Sequence, residues 1–392
     1  MGDFDNNKVN LKLLKTRAYN LRWATQPEGV IPLTAADPDF GVAQPIRDAI
    51  ISYTKDGLFS YGPPEGIPEF RKACAKATSE RKNYKCEPGQ VLAVDSAAAG
   101  MMQVSKLIIK PGDEAIVFDP VDFLFKSSVE AAGGTVKLLS VDPLTGVFNL
   151  EALRTLITPK TKMICVCNPV NPVGRVLTYE ELKAIGDFAI EHNLWIMNDE
   201  IWSDIVYDRS KFISLPSISP DIANRCFTIH GFSKAFGLAG LRVGFVICPT
   251  EKAFSDLLSS SMAQTTMTGV STLSQIAATA AYTSCWDWVD NFLDHLRSNR
   301  DKGIAHFEQF DFLETFCPEG TYVLFPKIKS NLINTEEVCR RLITEHKVAI
   351  VPGSTRWFGD GANGHVRIVF STSEDIFLEG IKRMTTGLSQ IL

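Results

Sequence analysis

Short β-branched runs alternate with longer helix-like segments over about 200 residues of this chain. Several of the runs are apolar on both faces, as strands must be when helices cover both sides of a parallel sheet. The alternation therefore predicts an α/β sandwich. The predicted strands are 91–94, 115–118, 135–139, 163–167, 194–199, 226–230 and 243–247, and the predicted helices between them include 98–110, 124–133, 178–192 and 251–260.

The pattern changes after about residue 285. A helix (286–310), a hairpin-like segment (320–326), a second helix (335–346) and a closing strand (366–370) predict a smaller α+β domain. The first 40 residues show no strong period and are predicted to form an arm that packs elsewhere. The predicted division is therefore an N-terminal arm (1–40) that belongs to the small domain, a large domain (41–285) and a small C-terminal domain (286–392).

Composition lowers the expectation of several kinds of partner. Forty basic residues against 45 acidic ones give a net charge of −5, so no broad basic surface is expected for nucleic acid or anionic lipid. No apolar run is long enough to span a membrane, and the first residues do not resemble a signal peptide. Nine scattered cysteines form no C-x-x-C pair, so we expect no metal site and a reducing, cytoplasmic location.

Familiar nucleotide and hydrolase motifs do not explain this chain. GDGANG (359–364) fits G-x-G-x-x-G, but it precedes a strand instead of opening a helix, so we interpret it as a turn. The sequence also lacks a G-x-x-x-x-G-K-[ST] loop and a G-x-S-x-G elbow.

Three polar side chains follow the ends of predicted strands in the middle of the chain. Lys234 comes shortly after the strand 226–230, Asp199 ends the strand 194–199, and Asn171 follows the strand 163–167. The carboxyl ends of parallel strands meet at one crevice, so the three can share a site. A lysine amine, a carboxylate and an amide donor around a planar ligand are what pyridoxal phosphate (PLP) requires.

Longer motifs point the same way. The chain carries Y-x-x-x-x-G-x-x-x-x-R (61–71), N-P-V-N-P-V-G (168–174), D-E-I-W (199–202), S-K-A-F-G-L-A-G-L-R-V-G (233–244) and a final V-R-I (366–368). With these motifs it resembles the class I/II aminotransferases, which are fold-type I PLP enzymes. The resemblance implies a three-layer α/β/α large domain with a mainly parallel seven-stranded sheet, a small α+β domain, and amino transfer between an α-amino acid and an α-keto acid by a ping-pong mechanism.

The resemblance also implies roles for individual residues. Lys234 would hold PLP as an internal aldimine and act as the catalytic acid and base. Asp199 would pair with the pyridine nitrogen, and Asn171 would donate to the phenolic oxygen. Within the same chain, the amides of Ala97 and Ala98, Ser233 and Arg242 would bind the cofactor phosphate, and Trp202 would also contact the cofactor.

Substrate recognition and assembly are implied in the same way. Arg367 would clamp the substrate α-carboxylate, with Asn171 and Ala36 beside it. Tyr61 would reach the cofactor phosphate of a neighbouring subunit, which implies a homodimer. Ala36, Tyr61, Trp202 and the segment 320–326 are candidates for the walls of the side-chain pocket, but the sequence does not identify the substrate side chain.

Three positions differ from the usual family pattern. Trp202 replaces a tyrosine that contacts the phenolic oxygen, and an indole N–H can donate but cannot ionise. Gly231 replaces a phosphate-binding serine. Asp122 stands where an aromatic ring usually stacks on the pyridine; either Phe123 or Phe125 supplies the ring, which we favour, or a carboxylate contacts the cofactor.

A second resemblance suggests another reaction. The segment 20–40, with Trp23 followed by A-D-P-D-F, is similar to the opening of the cystathionine β-lyase-like C–S lyases of the same fold. Those enzymes also remove the Cα proton but then expel a β-leaving group. Arg242 within GLAGLRVG is more typical of transaminases, so amino transfer is the leading hypothesis and β-elimination, or another conversion of amino acids by this fold, is the alternative.

Overall fold

A computed structural model describes residues 3–330 and 334–392. The α-helices are α1 (Leu11–Arg17), α2 (Gln44–Lys55), α3 (Pro68–Arg81), α4 (Ala97–Ile108), α5 (Leu124–Ala131), α6 (Leu150–Leu156), α7 (Tyr179–Glu191), α8 (Pro220–Ala223), α9 (Glu251–Ser260), α10 (Thr272–Ser284), α11 (Trp286–Phe307), α12 (Thr335–His346) and α13 (Glu374–Ile391). The strands are β1 (Ile31–Pro32), β2 (Val91–Val94), β3 (Glu114–Asp119), β4 (Thr135–Ser140), β5 (Thr161–Cys167), β6 (Trp195–Asp199), β7 (Cys226–Gly231), β8 (Gly244–Ile247), β9 (Leu313–Glu314), β10 (Val323–Leu324), β11 (Lys327–Ile328), β12 (Val348–Ala349), β13 (Val351–Pro352) and β14 (Val366–Val369).

A seven-stranded sheet forms the centre of the fold, in the order β2-β8-β7-β6-β5-β3-β4. Strand β8 runs antiparallel to both β2 and β7, and the other neighbouring pairs are parallel. The predicted α/β fold is therefore confirmed, and each predicted strand lies within two residues of an observed one.

Burial explains why these strands were recognisable in the sequence. Every residue of β2, β3, β6 from Ile196 onward, β7 and β8 is buried, and helices pack on both faces of the sheet. The edge strand β4 is largely exposed. Helix α7 begins with the predicted cap: the Thr178 hydroxyl accepts from the backbone N–H of Glu181, and the Glu181 carboxylate accepts from the N–H of Thr178.

The segment 320–326 is not a hairpin, so that prediction is wrong. Val323–Leu324 pairs antiparallel with β14, whereas Lys327–Ile328 pairs with β9. Pro326 lies between the two short strands and lacks a backbone N–H, so the segment cannot continue as one ladder. Helix α11 also ends three residues earlier than predicted, at Phe307.

The N-terminal residues pack against the last third of the chain. Ile31–Pro32 forms a parallel pair with Val348–Ala349. The Phe4 ring lies 5.0 Å from both Phe40 and Phe292, measured between ring centroids. The domain boundaries themselves stay a prediction. In the ranges 3–330 and 334–392, no helix is long and apolar enough to cross a membrane, and those residues contain no His/Cys/Asp/Glu cluster able to hold a metal ion.

Candidate active site

A cavity of about 350 Å³ opens at the carboxyl ends of β5, β6 and β7. This is the edge at which the sequence predicted a shared site. Ten of the predicted residues line it: Ala36, Ala97, Ala98, Asn171, Asp199, Trp202, Ser233, Lys234, Arg242 and Arg367.

Asp199 is a buried carboxylate at the end of β6. It accepts a hydrogen bond from the backbone N–H of Ile201 at 3.0 Å, and no lysine or arginine among the described residues forms an ion pair with it. Burial raises the pKa of Asp199 to about 7, and the negative charge of Asp122 adds to that effect. A cationic ligand group at this point would therefore be strongly favoured.

Lys234 brings its amine into the same cavity. Its Nζ donates to the Ala36 carbonyl at 2.9 Å and lies 5.1 Å from the centroid of the Trp202 ring. Burial lowers the pKa of Lys234, and the positive charge of Arg367 lowers it further, while Asp37, Asp122 and Asp199 oppose this shift. A lysine with a lowered pKa has a larger neutral, nucleophilic fraction.

The Ala36 carbonyl accepts two hydrogen bonds in the site, which the sequence did not indicate. Besides Lys234, it accepts from the hydroxyl of Tyr322 at 3.1 Å. The ring of Tyr322 meets Trp202 edge-on, with 4.7 Å between the centroids. Ala36 was predicted only as a substrate contact, whereas here its backbone also positions the lysine amine.

Arg367 lines the cavity and is held by two hydrogen bonds. Its Nη2 donates to the Thr34 carbonyl at 3.1 Å, and its Nη1 donates to Asn171 Oδ1 at 3.4 Å. The guanidinium lies 5.1 Å from the centroid of the Phe358 ring, and its buried Nε has no hydrogen-bond partner among the described residues. A buried guanidinium with an unused donor is suited to bind a carboxylate.

The amino end of α4 also lines the cavity. The Ser96 hydroxyl caps this helix by accepting from the Ala99 N–H, and it also accepts from Arg242 Nη2 at 2.8 Å. A Cβ added to Gly244 would lie 2.7 Å from the His230 carbonyl oxygen and 3.1 Å from the Ala97 nitrogen. Glycine at 244 therefore lets the strand approach the helix end, where backbone N–H groups and Arg242 favour an anion.

Tyr61 does not line this cavity. It lies in a separate surface depression, with 89% of its surface exposed. Its expected contact with a neighbouring subunit stays a prediction.

Sequence reasoning missed several residues of the site. Ser96 could have been recognised as a helix cap that follows a strand directly. Trp357 and Phe358 lie just before the discarded GDGANG turn, and only the fold shows that backbone hydrogen bonds join them to Val121 and Phe123 beside the cavity.

The family model for class I and II aminotransferases matches residues 28–382. The chain belongs to this family. An aspartate aminotransferase of Pyrococcus abyssi is 30% identical over 368 residues, which cover 92% of each chain. A PLP-bound putative aminotransferase from Clostridium difficile matches the structure with a TM-score of 0.86 and 26% identity, covering 97% of this chain and 96% of that one.

The protein is thus a PLP-dependent aminotransferase of fold type I. Cystalysin from Treponema denticola, whose structure contains PLP, aligns over 100% of both chains with a TM-score of 0.91. At 20% identity, this likeness establishes the shared fold alone.

The cavity has the features that PLP needs. Asp199 is a buried carboxylate that forms no ion pair with any described lysine or arginine, which suits a protonated pyridine nitrogen. Lys234 supplies an amine with a lowered pKa, and the α4 terminus with Arg242 supplies an anion site for the phosphate.

Proposed function

We propose that this aminotransferase transfers the amino group of α-amino acids that have an apolar or aromatic side chain. The observation that carries the proposal is the apolar part of the cavity wall. Leu21, Phe123, Trp357 and Phe358 all line it, and Phe123 meets Trp357 edge-on with 5.7 Å between the ring centroids.

The cations of the cavity support the same conclusion. Among the described lining residues they are Lys234, Arg242 and Arg367. Lys234 would hold the cofactor, Arg242 lies at the α4 terminus, and Arg367 would take the α-carboxylate. A substrate such as aspartate would bury its second carboxylate against aromatic rings, at a high desolvation cost.

Bound PLP supplies an electron sink that stabilises negative charge at the substrate Cα. Around it, Lys234 Nζ would hold the cofactor and, once released, would remove and return the substrate proton. Asp199 would keep the pyridine nitrogen protonated, and Asn171 and Trp202 would donate to the phenolic oxygen. Ala97, Ala98, Ser233 and Arg242 would bind the phosphate.

The substrate carboxylate would be bound by Arg367 next to Asn171, with the backbone of Ala36 nearby. The Phe358 ring lies beside this guanidinium, with 5.1 Å between the guanidinium carbon and the ring centroid. A carboxylate fixed in this way orients the Cα–H bond toward the lysine amine, which makes proton transfer faster.

We also propose a homodimer in which Tyr61 contacts the neighbouring subunit's cofactor. Tyr61 lines a surface depression together with Phe59, and the two rings are 89% and 64% exposed. Large aromatic side chains exposed side by side are typical of protein interfaces. Light scattering should give the mass of two chains. Replacing Tyr61 with Phe should weaken PLP binding without changing that mass, because it removes only the hydroxyl.

We propose the cytoplasm as the location. The nine cysteines are all free thiols and eight of them are buried, which is typical of proteins from a reducing compartment.

A panel of amino donors tests the substrate class. With pyruvate or 2-oxoglutarate as acceptor, kcat/KM for phenylalanine and leucine should exceed that for aspartate by about 10- to 100-fold, the value of burying one large apolar side chain. Trp357→Ala should reduce this preference, whereas Trp288→Ala, which alters an aromatic cluster near Phe4, should not. A preference for aspartate in the wild-type enzyme would contradict the proposal.

A reaction without the keto-acid acceptor separates amino transfer from β-elimination. The N-terminal similarity to C–S lyases has a structural counterpart, because the Trp23 indole N–H donates to Asp39 Oδ1 at 2.8 Å. If cystathionine alone gave catalytic pyruvate and ammonia without an acceptor, elimination would replace amino transfer as the function.

A further inference from the structure

Asp122 is the cavity residue that departs most from the expected pattern. It occupies the position where a stacking ring was predicted, and its carboxylate lines the cavity. Phe123 and Phe125 line the same cavity, but Phe125 is only 1% exposed and Phe123 packs edge-on against Trp357. Asp122 makes specific polar contacts within the site. These contacts indicate that its carboxylate has a role of its own.

The Asp122 carboxylate is fixed by two hydrogen bonds. Its Oδ2 accepts from Asn171 Nδ2 at 2.9 Å, and its Oδ1 accepts from the Leu124 N–H at 3.1 Å. The Asp122 backbone N–H also donates to the Asn171 carbonyl at 3.2 Å. The two residues are therefore joined through both side chain and backbone.

Asn171 lies between Asp122 and Arg367. Its Oδ1 accepts from Arg367 Nη1 at 3.4 Å, while its Nδ2 donates to Asp122. Rotating the amide by half a turn would direct its N–H groups at the guanidinium and its oxygen at the carboxylate. Both contacts would then be repulsive, so the charges on either side select one orientation of the amide.

We infer that Asp122 is a positioning residue, whose carboxylate fixes the Asn171 amide with its second N–H free for the cofactor and its oxygen on Arg367. This inference rests on the proposed function of the site. It gives Asn171 two tasks at once, because the same amide would orient the PLP phenolic oxygen and the guanidinium that binds the substrate.

Variants of Asp122 and Asn171 test this role in the holoenzyme. Asp122→Ala should weaken binding of PLP to the apoprotein about tenfold, shift the visible absorbance of bound PLP, and raise KM for the amino donor. Asp122→Asn keeps the size of the side chain and one acceptor oxygen, so it should recover part of the loss.

Two comparisons separate positioning from a loss of local structure. Asp142→Ala removes a similar carboxylate, whose Oδ1 accepts from the Leu144 N–H at 3.0 Å in an exposed turn, and should change none of these readouts. In an Asn171→Ala background, Asp122→Ala should have little further effect, because it acts through the missing amide.

The inference is overturned if Asp122→Ala behaves like Asp142→Ala, or if its effect is fully additive with that of Asn171→Ala. If the wild-type protein binds PLP and transfers amino groups, and Asp122→Ala has the same PLP affinity, absorbance and KM, only this inference is contradicted. A wild-type protein that does neither contradicts the proposed function itself.

Discussion

The buried charge of Asp199 is expected to lower the stability of the apoprotein. Binding of the cofactor is expected to restore this stability. Burial raises its pKa from an ordinary 3.8 to about 7. Such a carboxyl group has a higher pKa in the folded protein than in the unfolded chain. It stabilises the fold fully while the pH is below its pKa in the unfolded chain, and this stabilisation is lost as the pH rises to its pKa in the folded protein. Above about pH 7 the buried carboxylate should therefore lower the free energy of unfolding by roughly 4 kcal/mol, relative to the protonated form of the same group.

The substitution Asp199→Asn removes this charge and keeps an acceptor for the Ile201 N–H. The apo variant should be more stable than the apo wild type, by roughly 2 kcal/mol near pH 5.5 and roughly 4 kcal/mol near pH 8.5. Urea titrations of both apoproteins across this pH range measure the difference. The variant should also bind PLP more weakly, because a neutral amide cannot hold the pyridine nitrogen in its protonated form.

Asp204 provides a matched control. Burial is the largest single effect and raises its pKa, but the charge and the hydrogen bond of Lys82, whose Nζ lies 2.7 Å from Asp204 Oδ1, act together with weaker favourable charges to lower it overall. Asp204→Asn should therefore destabilise the protein at neutral pH, because the buried Lys82 ammonium loses the carboxylate that compensates its charge. If Asp199→Asn were destabilising at every pH, or if its effect did not grow with pH, the reasoning about a buried unpaired carboxylate would be refuted.

Three further substitutions test other parts of the site. Gly244→Ala should lower the free energy of unfolding by about 1–3 kcal/mol in urea titrations, because its Cβ meets the His230 carbonyl; unchanged stability would count against the close approach. Arg242→Ala should weaken PLP binding about tenfold in fluorescence titrations and leave KM for the donor nearly unchanged, a pattern that a substrate contact would reverse. Arg367→Lys should raise that KM about tenfold while PLP affinity stays within about threefold, and an equal loss of both would contradict its role as the carboxylate clamp.

The central sheet could be predicted because its strands are buried on both faces. Their apolar runs are short, continuous and separated by helix-like segments, which is a local signal. Helix α10 carries no acidic residue in its first turn and no side-chain cap, and it was not predicted. The segment 320–326 was misread because its pairing partners lie far from it in the chain.

In the site, too, features with a local sequence signal could be predicted, whereas contacts between distant residues could not. Lys234, Asp199 and Asn171 were predicted to lie together because parallel strands end at one edge. The contact of Lys234 with the Ala36 carbonyl joins residues 198 positions apart, and no local pattern reports such a contact. The role of Asp122 depends on a hydrogen bond across 49 positions, and the sequence alone favoured a stacking ring over a carboxylate at this place.

Amino transfer through Lys234 is tested most directly by a single turnover. The purified holoenzyme is mixed with phenylalanine and no keto acid, and the keto-acid product is measured together with the absorbance of bound PLP. We expect a single equivalent of phenylpyruvate per subunit, no ammonia, and further turnover only after a keto acid is added, with Lys234→Ala inactive and Lys252→Ala, an exposed lysine, unchanged. Continuous release of ammonia, or full activity of Lys234→Ala, would contradict the account.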